Sequence, residues 1–109
     1  RMRLIKKSEK TNLLKAVSEV SGYSVNELMV KKNRTVAPWK KVAIYIAREE
    51  GFTFDAATDI FDQHISTGFQ AVKHVKSNME KLKPTIEEIQ KRKQLYDSHE
   101  DDHELEDID

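Results

Sequence analysis

The chain has 109 residues and no cysteine, and its 19 Lys and Arg residues balance its 19 Asp and Glu residues. This length predicts a single domain with a modest hydrophobic core, and it is short for an enzyme with a deep active site. The lack of cysteine excludes disulfides and thiolate zinc sites. No apolar run reaches the roughly 18 residues that a membrane-spanning helix needs, and the charged N-terminus is not expected to be a signal peptide.

The charges are distributed unevenly along the chain. Residues 1–96 contain 19 basic and 11 acidic residues, a net charge of +8, whereas residues 97–109 contain 8 acidic residues and no Lys or Arg. A basic body is typical of proteins that bind polyanions. The acidic segment has few apolar residues and is predicted to be a disordered tail, which either keeps the protein in solution or competes for the basic surface.

Apolar residues recur at helical spacing along most of the chain, and no segment shows the alternation of a strand. We therefore predict an all-α fold of five or six helices. Their approximate bounds are Ser8–Val20, Ser24–Val30, Pro38–Glu50, Asp55–Phe61, Ser66–Leu82 and Thr85–Tyr96. Residues 1–85 would form the main helical domain, residues 86–96 a C-terminal helix and residues 97–109 the tail.

Local signals mark the ends and faces of these helices. Gly22 and Gly51 are expected to end the first and third helices, and Pro38 suits a first helical turn. Capping boxes are predicted at residues 24–27 and 85–88. The third helix is expected to bury Trp39, Val42, Ala43 and Ile46. The fifth is expected to bury Phe69, Val72, Val75, Met79 and Leu82. The polar face of the fifth helix contains Ser66, Thr67, Gln70, Lys73, His74 and Ser77.

The clearest functional signal is a cationic loop that leads into an amphipathic helix. Its polar and charged members are Lys31, Lys32, Arg34, Thr35, Lys40 and Lys41. A short helix, a turn and a long helix with a polar face follow. A basic loop beside such a helix pair is a common way to hold the DNA backbone and present side chains to a groove. We therefore predict double-stranded DNA as the partner, and the plainer alternative is a solvated charge cluster.

The same segment resembles a known family. Arg34-Thr35-Val36-Ala37 and the helix Val42-Ala43-Ile44-Tyr45-Ile46-Ala47-Arg48-Glu49 are similar to the basic loop and following helix of the C-terminal DNA-binding domain of the bacterial replication initiator DnaA. The resemblance covers about residues 12–82. It implies a Trp-repressor-type helix-turn-helix at residues 54–82. It further implies a bacterial, cytoplasmic and nucleoid-associated regulator of replication initiation or transcription, or a detached domain of one.

The resemblance also implies residue roles. In the family, the loop arginine enters the minor groove and the second helix of the helix-turn-helix enters the major groove. By position, Arg34 takes the first role and Ser66, Thr67, Gln70 and Lys73 take the second. His64 is the nearest counterpart of a family histidine at the start of that helix, and His74 lies on the same polar face. The phosphate-binding residues would be Lys31, Lys32, Lys40, Lys41 and Lys73.

Two segments differ from the family pattern. The chain has Asp62-Gln63-His64-Ile65-Ser66-Thr67 where DnaA proteins have a Gly-Gly turn and Asp-His-Thr-Thr, and Pro38 and Trp39 replace Arg-Pro. The sequence also lacks a phosphate-binding Gly-rich loop, so it is not expected to be a complete initiator. The alternative function is a protein-interaction module of the same fold that no longer reads DNA. Its acidic tail would mimic DNA or dock on another DNA-bound protein.

The acidic tail contains a string that formally matches a zinc-protease motif. His99-Glu100-Asp101-Asp102-His103 has the His-Glu-x-x-His spacing. Such a site needs a buried helix, a third ligand and an apolar wall, and almost nothing apolar surrounds this string. We therefore predict no catalytic or metal site, no cofactor, and a protein that is not an enzyme.

Overall fold

The computed structural model describes residues 7–29 and 34–108, with side chains for residues 9–29 and 34–97. This part of the chain forms six helices and no strand, which confirms the predicted all-α class. The helices are α1 (Lys7–Ser21), α2 (Val25–Leu28), α3 (Ala37–Glu49), α4 (Phe54–Asp59), α5 (Ile65–Ser77) and α6 (Met79–Ile108). Lys31 and Lys32 lie outside the described residues, as do the side chains of residues 99–103.

Several predicted helix ends are confirmed. Gly22 and Gly51 follow α1 and α3 with φ angles of 84° and 100°, a left-handed conformation that glycine adopts without steric cost. Ser24 and Glu27 form the reciprocal capping box of α2. Each side chain accepts the backbone N–H of the other residue at 3.1 Å. Pro38 lies in the first turn of α3.

Helix α3 is the centre of the bundle, because it contacts all five other helices. Every residue from Val42 to Ala47 is buried, so the single apolar face predicted for this helix is too narrow. A helix surrounded by neighbours buries most of its circumference. The largest buried side chains around it belong to the other helices and connecting turns, and they include Leu13, Val17, Leu28, Phe52, Phe61, Val75 and Ile89.

The predicted end of the fifth helix is wrong. Helix α5 ends at Ser77 instead of Leu82, because Asn78 leaves the helical conformation and its side-chain amide donates to the His74 carbonyl at 2.8 Å. Helix α6 begins at the next residue and contains Pro84 in its second turn. The predicted second capping box at residues 85–88 is therefore also wrong, since these residues lie inside α6.

A buried ammonium group ties α6 to α1 and to the end of α3. Lys93 is 1% exposed, and its Nζ donates to Glu50 Oε1 at 2.6 Å and to Asp97 Oδ2 at 2.7 Å. Asn12 of α1 donates to the other oxygen of Asp97 at 2.8 Å. Burial opposes the charged form of Lys93, but the hydrogen bonds to Asp97 and Glu50 outweigh it and raise the pKa of Lys93.

Helix α6 continues without a break through residues 86 and 97, where the sequence predicts that new segments begin. Its backbone is helical to Ile108, whereas residues 97–109 are predicted to be a disordered tail and residues 86–96 a separate helix. Asp97, the first acidic residue of the predicted tail, takes part in the Lys93 network. The change in charge at residue 97 is therefore not a change in backbone structure.

Candidate nucleic-acid interface

A side-chain cap marks the start of each of the helices α4 and α5. The Thr53 hydroxyl caps α4 by accepting the Ala56 N–H at 3.1 Å. At the start of α5, His64 Nδ1 accepts the Ser66 N–H at 3.1 Å. Between the helices, Asp62 adopts a φ of 54°, which Asp tolerates better than most residues. His64, predicted to contact DNA, thus serves as the N-cap of α5.

A glycine lets the two helices approach closely. A Cβ atom at Gly68 of α5 would lie 2.7 Å from Thr58 Cγ2 and 3.1 Å from Phe54 Cδ1, both on α4. Normal contacts between carbon atoms are about 3.5–4.0 Å. Gly68 is therefore the point where α5 rests on α4, and the opposite side of α5 faces outward.

The outward side of α5 is mostly the predicted polar face. Ser66, Gln70, Lys73, His74 and Ser77 are exposed, and Thr67 is half-buried. The buried positions are Gly68, Ala71 and Val75. Phe69, predicted to be core, is instead 52% exposed. Val75 is buried and Val72 packs against the core as predicted, so only the Phe69 end of the predicted stripe is wrong, and its aromatic ring lies among the polar side chains.

The basic loop is only partly a surface feature. Arg34 and Thr35 are exposed in the turn before α3, and Lys41 is half-buried. Lys40 is only 4% exposed, with its Nζ 6.0 Å from the centroid of the Phe61 ring. Burial lowers the pKa of Lys40. The burial of Lys40 argues against a direct phosphate contact in this conformation, and its phosphate-binding role stays a prediction.

Two cation–ring contacts fix the direction of α3 relative to α4. Lys40, near the start of α3, lies over Phe61, just after the end of α4. Arg48, near the end of α3, lies over Phe54 at the start of α4, 4.1 Å from the ring centroid. The two helices are therefore antiparallel. The turn that contains Arg34 lies at the same end of the bundle as the turn that leads into α5.

Arg48 and Phe69 were not among the predicted site residues. The rings of Phe54 and Phe69 meet edge to face, with centroids 4.5 Å apart and planes at 65°. Arg48 lies over Phe54, and its Nη1 donates to the Phe52 carbonyl at 2.7 Å. The three side chains form a row from α3 across α4 to the middle of α5. The helical spacing of Phe69 had suggested a core residue, so no local signal pointed to this row.

The charges of α4 limit how a polyanion could approach. Asp55 and Asp59 are exposed on α4, and Asp59 lies 3.9 Å from Lys10 of α1. Carboxylates on this surface repel phosphate. The exposed or half-buried cations on α5 and around α3 are Lys73 and Lys76 of α5, Arg34 and Lys41 at the start of α3, and Arg48 near its end.

The described residues contain no group of three or more His, Asp or Glu side chains placed to hold a metal ion. A groove of about 570 Å³ runs along α4 and the turn after it. Its lining includes Asp55, Asp59 and His64 beside threonine and alanine side chains. The two carboxylates make this groove a poor site for a phosphate group.

No protein-family model, curated protein or solved structure matches this chain. The resemblance to the DnaA C-terminal domain therefore stays a prediction from the sequence. Among the described helices, none is both long enough and apolar enough to cross a membrane.

Proposed function

We propose that this protein binds double-stranded DNA through α5 and the turn before α3. The main support is the antiparallel packing of α3 and α4. It brings the exposed Arg34 to the end of the bundle where α5 begins, and the outward side of α5 is polar. B-DNA offers a major groove about 12 Å wide, which admits a helix, and a minor groove beside it. A cationic turn next to such a helix can bind the backbone or the minor groove.

Six residues have a specific role in this proposal. Ser66 and Gln70 contact base edges from the first two turns of α5, and Gln70 suits the paired donor and acceptor of adenine. Lys73 binds a phosphate. Arg34 enters a minor groove that is narrow and A·T-rich, where negative potential is concentrated. Lys41 and Arg48 add phosphate contacts from the two ends of α3.

The cellular role belongs to the same proposal. A small DNA-binding domain of this kind would act in the cytoplasm, at the nucleoid. There it would regulate replication initiation or transcription. The acidic end of α6 would contact another DNA-bound protein. These roles rest on the resemblance to the DnaA domain, and the DNA contact itself can be tested without them.

The direct test is fluorescence anisotropy with a random-sequence duplex at several salt concentrations. The four cations that have a role in this proposal imply a log–log slope of affinity against salt of about −3 to −4, and contacts from Lys76, Lys31 and Lys32 would steepen it. A flat salt dependence, or no binding at low salt, contradicts the proposal.

Arg34→Ala identifies the surface. We expect it to weaken binding by about 1–3 kcal/mol, because a guanidinium in a narrow groove makes fixed hydrogen bonds. Lys91→Ala is the matched control, since Lys91 is exposed on α6 and its loss also removes one positive charge. Equal losses in the two variants would show a general charge effect instead of a site at Arg34.

A second candidate is the protein-interaction module. The observations that favour it are the exposed acidic surface of α4 at Asp55 and Asp59 and the exposed ring of Phe69. In that case the anisotropy assay shows no duplex binding at low salt. Asp55→Asn and Asp59→Asn distinguish the candidates further. They should strengthen DNA binding by removing repulsion, whereas they should weaken a contact with a basic protein.

A further inference from the structure

The exposed ring of Phe69 packs on one side against other side chains beside the proposed DNA-binding helix. It lies in the middle of α5, one turn after Ser66 and one turn before Lys73. The Phe54 ring contacts it edge to face, and Phe54 in turn is covered by the Arg48 guanidinium. Arg48 is fixed by its hydrogen bond to the Phe52 carbonyl. Because Phe54 and Arg48 restrict the Phe69 side chain, it loses little conformational entropy when the exposed part of its ring contacts a ligand.

The neighbours of Phe69 limit what such a ligand can be. The next residue, Gln70, presents an amide, and Ser66 and Lys73 present a hydroxyl and an ammonium group. From Ser66 to Lys73 the helix rises about 10 Å, which fits within the major groove. A ligand for this face is therefore polar and anionic overall, with one apolar group opposite Phe69.

The major groove contains one apolar group, the C5-methyl of thymine. Phenylalanine is among the side chains that contact this methyl. Aromatic wedges that insert between base pairs belong mainly to proteins that bind the minor groove, and α5 is not placed for that in this proposal.

We propose that Phe69 is a specificity-determining residue that recognises the C5-methyl group of thymine in the major groove. This inference rests on the proposed DNA binding. Gln70 reads an adenine next to it, so the preferred duplex has consecutive A·T pairs under the first half of α5. Arg48 and Phe54 are positioning residues, because they fix the ring and do not themselves reach the base.

The test compares two short duplexes that differ only in thymine methyl groups. One alternates dA and dT, and the other alternates dA and dU. The exchange removes the major-groove methyl and keeps the minor-groove atoms, where Arg34 is proposed to bind. We expect the uracil duplex to bind the wild-type protein about threefold to fivefold more weakly, as the loss of one buried methyl contact implies. Phe69→Ala should bind both duplexes equally.

Leu95→Ala is the matched control, since Leu95 is 57% exposed on α6 and also presents apolar surface to solvent. It should keep the wild-type preference for thymine. Circular dichroism and thermal unfolding check that the Phe69 variant remains folded, which its exposure favours.

The outcomes separate this inference from the proposed function. If wild type binds both duplexes equally well, DNA binding stands and the role of Phe69 is overturned. If Phe69→Ala keeps the thymine preference, another residue contacts the methyl and the role is again overturned. If neither duplex binds at low salt, the proposed function and the inference both fail. Phe69-dependent self-association in sedimentation velocity, with no thymine preference, would assign the ring to protein contact and overturn the inference.

Discussion

Replacing Gly68 by alanine perturbs the point where α5 rests on α4, and its effect can be worked out from the structure. The new Cβ would lie 2.7 Å from Thr58 Cγ2 and 3.1 Å from Phe54 Cδ1. Carbon atoms pack at about 3.5–4.0 Å, so the helices would have to separate by several tenths of an ångström. Thr58 cannot easily turn away, because it is buried and its hydroxyl donates to the Phe54 carbonyl at 2.8 Å.

Two effects of opposite sign decide the stability of this variant. Alanine is favoured over glycine inside a helix by about 1 kcal/mol. Overpacking a tight contact costs about 1–3 kcal/mol. We therefore expect Gly68→Ala to lower the free energy of unfolding by about 0–2 kcal/mol. An exposed helical glycine would instead be stabilised by the same change.

A second substitution turns this expectation into a test. Thr58→Ser removes the Cγ2 methyl and keeps the hydroxyl that bonds to Phe54. Alone it should cost about 1 kcal/mol, as the loss of a buried methyl implies. In that background, Gly68→Ala should lose its penalty and become neutral or stabilising. Urea unfolding of the wild type, the two single variants and the double variant gives the coupling energy between the two positions. We expect the double variant to be about 1–2 kcal/mol more stable than the sum of the single effects predicts. Additive single effects would refute the packing argument.

Three further predictions concern α6. Lys93→Met should lower the free energy of unfolding by about 1–3 kcal/mol, because it leaves the half-buried carboxylates of Glu50 and Asp97 without their cation. An unchanged urea midpoint would argue against the network. The hydrogen bond that Tyr96 donates lowers the pKa of Glu19. The ionised carboxylate therefore stabilises the fold above about pH 4.3, the pKa of glutamate in an unfolded chain, and this stability is lost as the pH falls through the lower folded pKa. Glu19→Gln should therefore flatten the acid side of the stability profile, and an unaltered profile would contradict this. Deleting residues 98–109 removes seven carboxylates from the helical end of α6. It should tighten non-specific duplex binding several-fold at low salt by reducing the repulsion of phosphate, with little effect near 0.3 M or above, where the Debye length is about 6 Å or less. Equal affinities at low salt would show that the tail does not oppose DNA binding.

The parts of the fold that follow from local signals could be predicted from the sequence. Gly22, the Ser24 capping box, Pro38 and Gly51 each act through their own backbone or through residues at most three positions away. The order of the first four helices and the polar side chains of α5 follow from them and from helical periodicity. These features do not depend on which helices become neighbours.

The side of α5 that faces inward could be predicted only in part. The predicted stripe ran through Phe69, Val72 and Val75; Val75 is buried and Val72 packs against the core, but Phe69 is exposed and Gly68 and Ala71 are buried instead. The inward side is therefore shifted from the predicted stripe by less than one residue position, which corresponds to about 100° around the helix. Glycine has no side chain that a hydrophobic pattern would count, yet its small size decides where α4 can approach. The same limit applies to Lys40, which is buried because α3 is surrounded and not because of its neighbours in sequence.

The acidic end of the chain shows how a charge boundary and a structural boundary can differ. Net charge changes sign at residue 97, so a truncation designed from the sequence would remove residues 97–109. Asp97, however, accepts hydrogen bonds from Lys93 and Asn12 and so belongs to the junction of α1, α3 and α6. Removing it would deprive a buried ammonium of one of its two carboxylate partners. Any change in DNA affinity could then come from altered folding instead of reduced repulsion of phosphate. Cutting after Asp97 keeps that junction and still removes seven of the eight acidic residues, so only this truncation isolates the electrostatic effect of the tail.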